Sequence, residues 1–295
     1  MITYVVTVFS LMLITALLCI SFDILAGDLK LMSLATPAIA GVGAYAAAIS
    51  DVSYGLPLAA GLLAAIVASC IIGFVLAAIS VRVSDVYFLL VSMAMGLILV
   101  TIFDQARSIT NGPSGIAGVS PFEVFGLTVP QSGLLIGISL VVAVGLLVTW
   151  IRRSYIGRRW RALGDDKLAA TNVGIDPKRE LVKCVVLSSA VAGVAGFLHA
   201  HVVGIVDPSP FGLQAAILIL ALAIVGGSGR VWGSIAGASV GIFIPEFLRF
   251  VPMENLAAHQ SVIREVIFGI LLVLFLGFRP NGLLGRKTIT QKSVS

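Results

Sequence analysis

The chain passes through nine stretches of about 20 mostly apolar residues. They lie near 4–22, 31–50, 56–80, 86–104, 131–151, 182–202, 211–227, 231–250 and 262–278. At 1.5 Å per residue, one such helix spans the roughly 30 Å of a bilayer's hydrocarbon core. Lipid offers the backbone no hydrogen bonds, so each stretch must satisfy its own as a helix. The pattern predicts an all-α, polytopic transmembrane helical bundle of about nine spans (eight to ten), forming a single domain over 1–295. The third stretch is long enough to tilt. The second carries Pro37 and several glycines and the seventh is short, so either is a candidate for a broken or re-entrant helix.

Composition agrees with a lipid solvent. Charged residues make up 11% of the chain, where a soluble domain has about 25%, and mean hydropathy is +1.10. The net charge of +5 therefore does not point to nucleic acid; what matters is the side on which positive residues gather. Between Arg152 and Lys183 lie nine of the 19 Lys and Arg and four of the 14 Asp and Glu. If the loop at 152–181 is cytoplasmic, alternation adds Lys30, Arg82, Arg230 and the tail after Arg279 to that side. It then holds 16 of the 19 basic residues, leaving Arg107, Arg249 and Arg264 outside it. The expected orientation puts the N-terminus outside and the C-terminus in the cytoplasm. The first apolar run has no preceding Lys or Arg and reads as a span, not a removable signal peptide.

Small residues forecast how the spans pack. Gly229, Gly233, Gly237 and Gly241 recur every four residues, a helix stripe on which a second backbone can approach closely. Ala40, Ala44 and Ala48 repeat the device in the second span. Cys19, Cys70 and Cys184 sit in apolar runs and read as packing residues. Two outer connections, 106–131 and 204–212, are rich in turn residues and suit a docking surface for an external partner.

Catalytic chemistry is not visible. "GGSGRVWG" lacks the Lys and hydroxyl of a phosphate-cradling loop, and His199 and His201 are two apart, on different helix faces. No metal, cofactor or catalytic set is expected, which disfavours a membrane enzyme. Asp23, Asp28, Asp85, Asp104, Glu246 and Glu265 fall at or near span ends, where water or a neighbour can satisfy them. Spans five to seven have no acid in their interiors, which counts against an ion-coupled carrier working alone.

Within the charged loop, "RALGDDKLAATNVGIDP" (161–177) predicts a short helix. Asp165 and Asp166 suit its first turn, Leu168, Ala169 and Ala170 propagate it, and Gly174 ends it before Pro177. Such a helix suits a groove on another protein, with the small residues Ala169 and Ala170 at the contact.

"AATNVG" (169–174) resembles the Ala-Ala-x-x-x-Gly core of the loop through which ABC importer permeases meet their ATPases. Leu168 replaces the acidic residue that usually leads it, as in the branched-chain amino-acid permeases of the LivM type. "SLATPAIAGVGAYAAA" (33–48), "TNGPSGI" (110–116), "VVGIVDPSPFG" (202–212), "IVGGSGRVWGSIAGA" (224–238) and "FRPNGLLG" (278–285) match in order along almost the whole chain. The first departs from the family at Ala35, where Gly is common. The resemblance implies a permease subunit in a bacterial inner membrane, not itself an enzyme, importing branched-chain or related amino acids by alternating access. It implies a second homologous permease, two cytoplasmic ATP-binding subunits and a periplasmic binding protein as partners. Urea, amides or aromatic acids are the alternative cargo. The implied ATPase contact uses Asp165, Asp166, Leu168, Ala169, Ala170 and Gly174, while Ser33, Pro37, Asn111 and Ser114, irregular positions in matched segments, are candidates for the translocation path.

Overall fold

The structure is a computed structural model, and it describes residues 2–122, 129–249, 269–270 and 282–283. Eight helices correspond to the first eight expected spans: α1 (Ile2–Asp28), α2 (Thr36–Val52), α3 (Leu58–Ser80), α4 (Asp85–Gln105), α6 (Val129–Arg153), α9 (Pro177–Val203), α10 (Leu213–Gly226) and α11 (Val231–Arg249). Between them lie three shorter helices, α5 (Arg107–Thr110), α7 (Tyr155–Asp165) and α8 (Lys167–Asn172), and two short strands, β1 (Ile116–Ala117) and β2 (Ile205–Val206). The expected ninth span, 262–278, lies outside the described residues except for 269–270, as do Glu265 and the basic tail. Among the described residues, five helices are long and apolar enough to cross a membrane: those at Thr3–Asp28, Leu58–Ser80, Tyr87–Gln105, Gln131–Arg153 and Pro177–Val203. The chain is a helical, multi-pass membrane protein.

The two irregular spans differ from the sequence expectation in an instructive way. Pro37 does not break the second span; it occupies the first turn of α2, where a missing N–H costs nothing, and residues 31–35 ahead of it are non-helical. The helix is left with 17 residues and α10 with 14, roughly 25 and 21 Å of rise, short of the hydrocarbon core. Their starts meet: Leu34, Phe211, Gly212 and Leu213 face Met93, Gly96 and Leu97 of α4 across one crevice. The Leu34 N–H donates to the Ser92 hydroxyl at 3.0 Å, which fixes the start of α2 well inside the bundle.

Packing inverts the soluble rule. On α3, Gly61, Ala65, Ser69 and Gly73 are buried at a spacing of four, while Leu63, Val67, Ile71 and Phe74 point outward. Apolar side chains gain nothing by leaving lipid, so the helices associate through small residues that let backbones come close. A Cβ on Gly43 of α2 would stand 2.7 Å from the Gly193 Cα of α9, and one on Gly196 would strike the Ala40 carbonyl. Ala40, Ala44 and Ala48 are all buried, as their spacing suggests. Between α1 and α9, the Ser21 and Ser188 hydroxyls each donate to the other residue's carbonyl, at 2.7 and 2.8 Å. Cys19 and Cys184 are buried and Cys70 half-buried, all unbonded to one another.

The glycine stripe of the eighth span holds for three of its four members. Gly233, Gly237 and Gly241 press α11 onto α10, where a Cβ on Gly237 would collide with the Leu222 carbonyl. Gly229 is not on that helix: it lies in the turn before it at φ 91°, a backbone region glycine enters freely. In its place, Gly226 of α10 completes the seam. Gly237→Leu should therefore wedge α10 from α11, and overpacking of this kind costs about 1–3 kcal/mol. We expect the purified variant to melt several degrees below its parent, whereas Gly212→Ala, with ordinary φ and only a van der Waals contact with the Ser209 carbonyl at 3.7 Å, should melt with it.

Candidate coupling surface and the charge beneath it

After α6 the chain does not loose itself into solvent. The Ser154 hydroxyl accepts the Ile156 N–H at 3.2 Å and caps α7. This helix has an apolar face, Gly157, Trp160 and Leu163, at a spacing of three, with Arg158 on the exposed side. Its two glycines bring its backbone against others. A Cβ at Gly157 would sit 2.5 Å from the Arg152 Cα, and one at Gly164 2.6 Å from the Asp28 carbonyl oxygen. Trp160 donates from Nε1 to the buried Glu180 carboxylate at 3.0 Å, and Lys183 and Arg159 reach the same group at 2.8 and 3.4 Å. Within the expected loop at 152–181, the three-residue spacing of Gly157, Trp160 and Leu163 is the sequence signal for α7.

The expected short helix is present as α8, closed at both ends by its own sequence. The Asp166 carboxylate accepts the Ala169 N–H at 2.9 Å, an N-cap. At the other end Gly174, at φ 85°, donates to the Thr171 carbonyl, and Ile175 donates to that of Ala170. That pair of bonds is the Schellman arrangement that ends a helix at glycine. Two expectations need correction. Asp165 is not in the first turn: it ends α7 and pairs with Lys30 at 2.9 Å. Ala170 does not face outward; it is 3% exposed and turned onto its own chain. Six residues make under two turns, so the apolar positions divide between faces, and the outward ones are Leu168 at 80% and Val173 at 78% exposure. Ala169 is exposed beside them. From the same end, Lys167 pairs with Asp85 at the head of α4 at 2.9 Å.

Beneath this surface lies a buried charge cluster. Arg152, read from sequence as a loop residue at the membrane surface, is 8% exposed. Its Nε donates to Asp28 at 2.8 Å and its Nη2 to the Asp23 carboxylate at 2.9 Å and the Asp23 carbonyl at 2.9 Å. Asp23 and Asp28 are likewise almost fully buried, so it is the guanidinium, not water, that satisfies them. Asp23 also accepts the Gly229 N–H at 2.7 Å. One planar cation thus ties α6 to α1, and the Asp23 carboxylate ties α1 to the turn between α10 and α11. No local spacing announces this contact, because its members are more than 120 residues apart.

The candidate path residues do not form one site. Ser33 and Pro37 lie at the buried start of α2, where the Ser33 hydroxyl accepts the Ala35 N–H at 3.4 Å. Asn111 and Ser114 lie beyond the far end of α4, about 20 Å of helix rise from Ser92. Asn111 is in the left-handed region at φ 62° and spends its side-chain amide on the Gly115 carbonyl at 2.9 Å. There the two outer connections join: Ile116 pairs with Val206 and Ala117 with Ile205 in an antiparallel ladder, and the Ser120 N–H reaches Asp51 at 2.6 Å. Nearby, His201 is buried against Phe122 and Phe197.

Comparison with known proteins gives this arrangement a family. Residues 1–276 match the model of the branched-chain amino acid transport system / permease component. The chain is 27% identical to the high-affinity branched-chain amino acid transport system permease protein LivM of Escherichia coli, over 95% of this chain and 69% of LivM. It is also 27% identical to the corresponding LivH of Escherichia coli, over 80% of this chain and 77% of LivH. Similarity to BraD of Pseudomonas aeruginosa, 28% identical, covers 54% of this chain and 48% of BraD. The chain belongs to the branched-chain amino acid transport system permease family.

Proposed function

We propose that the chain is the transmembrane subunit of an ABC importer for branched-chain or related amino acids, and that two cytoplasmic ATPases drive it through α7 and α8. The observation that carries this reading is the exposed pair Leu168 and Val173 on a helix capped at both ends. Large apolar groups standing in water on a fixed scaffold are what a partner's groove requires. A homologous permease completes the path, and a periplasmic binding protein delivers cargo at the opposite end, where β1 and β2 join the outer connections.

The coupling follows from contact. A push on α8 reaches α7, and α7 lies backbone to backbone on Arg152 and Asp28 through Gly157 and Gly164. Arg152 hands the displacement to Asp23, and Asp23 to the Gly229 turn at the root of α10. Since α10 is a half-length helix whose start abuts that of α2, a shift of its root tilts the point where both begin. ATP favours one arrangement and its hydrolysis the other, which is the differential binding that alternating access requires.

Reporters and nucleotide binding test this together. A reporter inserted at Gly174 should read cytoplasmic and one at Gly118 external, both glycines having open space around them. The chain purified alone should bind no ATP; stoichiometric nucleotide binding, or both reporters on one side, would overturn the reading.

A further inference from the structure

Between α7–α8 and the bundle lies a groove of about 290 Å³ that the coupling path does not use. Its floor is apolar: Leu31, Val81, Phe88, Leu163 and Leu181. Within that floor the Ser80 hydroxyl, on a side chain 2% exposed, has no hydrogen-bond partner among the described residues. A buried hydroxyl left without a partner loses its hydration for nothing in return, unless something else fills the groove. The rim is charged and of both signs: Asp85, Lys167, Asp176 and Lys178. Lys167 is engaged with Asp85, and Asp176 with Arg179. Lys178 has no ion pair among the described residues, and it stands in the first turn of the 27-residue helix α9, whose N-terminus the Asp176 carboxylate already caps.

These features describe the shape of a ligand. The floor takes a compact aliphatic group, the Lys178 ammonium takes a carboxylate, and Asp85 and Asp176 on the same rim take an ammonium group, Asp176 while its other oxygen caps α9 through the Lys178 N–H at 3.0 Å. Pockets of this kind pair an apolar lining with a few convergent polar groups. We propose that the groove is a regulatory site for a branched aliphatic α-amino acid, entered from the α7–α8 side. The assignment of that ligand as the transporter's own imported cargo rests on the function proposed above.

The consequence is feedback. The groove is walled on one side by Leu163 and Lys167, which belong to the coupling helices, and on the other by the α3–α4 connection and α9. A ligand touching both walls holds them at the separation seen here and disfavours any state that parts them. Imported amino acid accumulating inside would then slow the ATPase cycle that brings in more.

The test uses the assembled transporter in nanodiscs, without binding protein, and L-leucine as the probe. We expect saturable leucine binding that slows ATP hydrolysis. Lys178→Ala, which removes the carboxylate partner, and Val83→Trp, which fills the groove from its lining, should each weaken binding and inhibition at least tenfold, measured against the variant's own uninhibited rate. 4-Methylpentanoate and isoamylamine, each leucine lacking one charged group, should bind less tightly than leucine. Absence of saturable binding, or affinity unchanged in both variants, overturns the proposal. So does a groove found filled by co-purified phospholipid, or leucine binding seen only when the ATPase subunits are stripped away, since the occupant is then lipid or an ATPase segment. In proteoliposomes of the same complex, ATP-driven leucine uptake whose inhibition ignores both variants would sink the site and leave the permease reading standing. An assembled complex that drives no uptake would sink the reading, while leucine binding lost in both variants would still establish the groove as a site.

Discussion

Leu168→Asp combined with Val173→Asp should abolish coupled transport while leaving the chain inserted and folded. Both side chains are more than three-quarters exposed and lie outside every span, so neither membrane integration nor the internal core depends on them. Surface changes away from special features stay within about ±0.5 kcal/mol of stability. A docking contact is another matter, since apolar anchors at the centre of an interface cost about 2 kcal/mol or more apiece when truncated. Two charges buried in a partner's groove without counter-charges cost more again. Transport should fall at least a hundredfold, and the ATPases should no longer co-purify with the permease. Ala170→Leu serves as the contrasting case: Ala170 faces inward, so its enlargement should lower the melting temperature as well as coupling. Parental uptake by the Leu168→Asp, Val173→Asp variant would remove α8 from the mechanism.

What was legible in the sequence follows how far apart the interacting residues lie. The spans could be read because each is its own hydrogen-bonding unit, and the apolar run records that need directly. The ends of α8 could be read for the same reason, since Asp166 caps three residues ahead and the turn at Gly174 lets Gly174 and Ile175 bond back to Thr171 and Ala170. Which face of α8 looks outward could not. That depends on how α7 seats it against α1 and α4, through Lys30 with Asp165 and Lys167 with Asp85. The four-residue glycine rhythm runs one member past its helix, because Gly229 shares the period but serves a turn. The stripe Gly61, Ala65, Ser69, Gly73 carries the same rhythm in mixed small residues and is visible once small is counted with glycine. Arg152 departs from the sequence expectation because a positive residue at a span end normally marks the water boundary, whereas here it is buried. Only tertiary structure shows two carboxylates waiting for it.

The second large effect falls on that arginine. Arg152→Met should cost about 3–5 kcal/mol, because it keeps a similar length while stranding Asp23 and Asp28 without their cation inside the bundle. Lys at this position should recover little. The wild-type guanidinium serves Asp28 from Nε and Asp23 from Nη2 at once, and an ammonium on a flexible stem presents a single point of charge in place of that planar fork. The informative variant is the triple change Arg152→Met, Asp23→Asn, Asp28→Asn, which removes the whole charged set and leaves no carboxylate stranded. Replacing a buried ion cluster with neutral groups is often neutral for stability, so the triple variant should regain most of the melting temperature lost by Arg152→Met. Transport should not return with it. The Asp23 carboxylate would no longer hold the Gly229 N–H with a charged oxygen, and the path from α7 through Arg152 to the root of α10 would be cut while the fold stands. Stability and uptake measured side by side on the two variants therefore separate the roles. If the triple variant regains both, the cluster only holds the bundle together; if it regains stability alone, the cluster also carries the stroke.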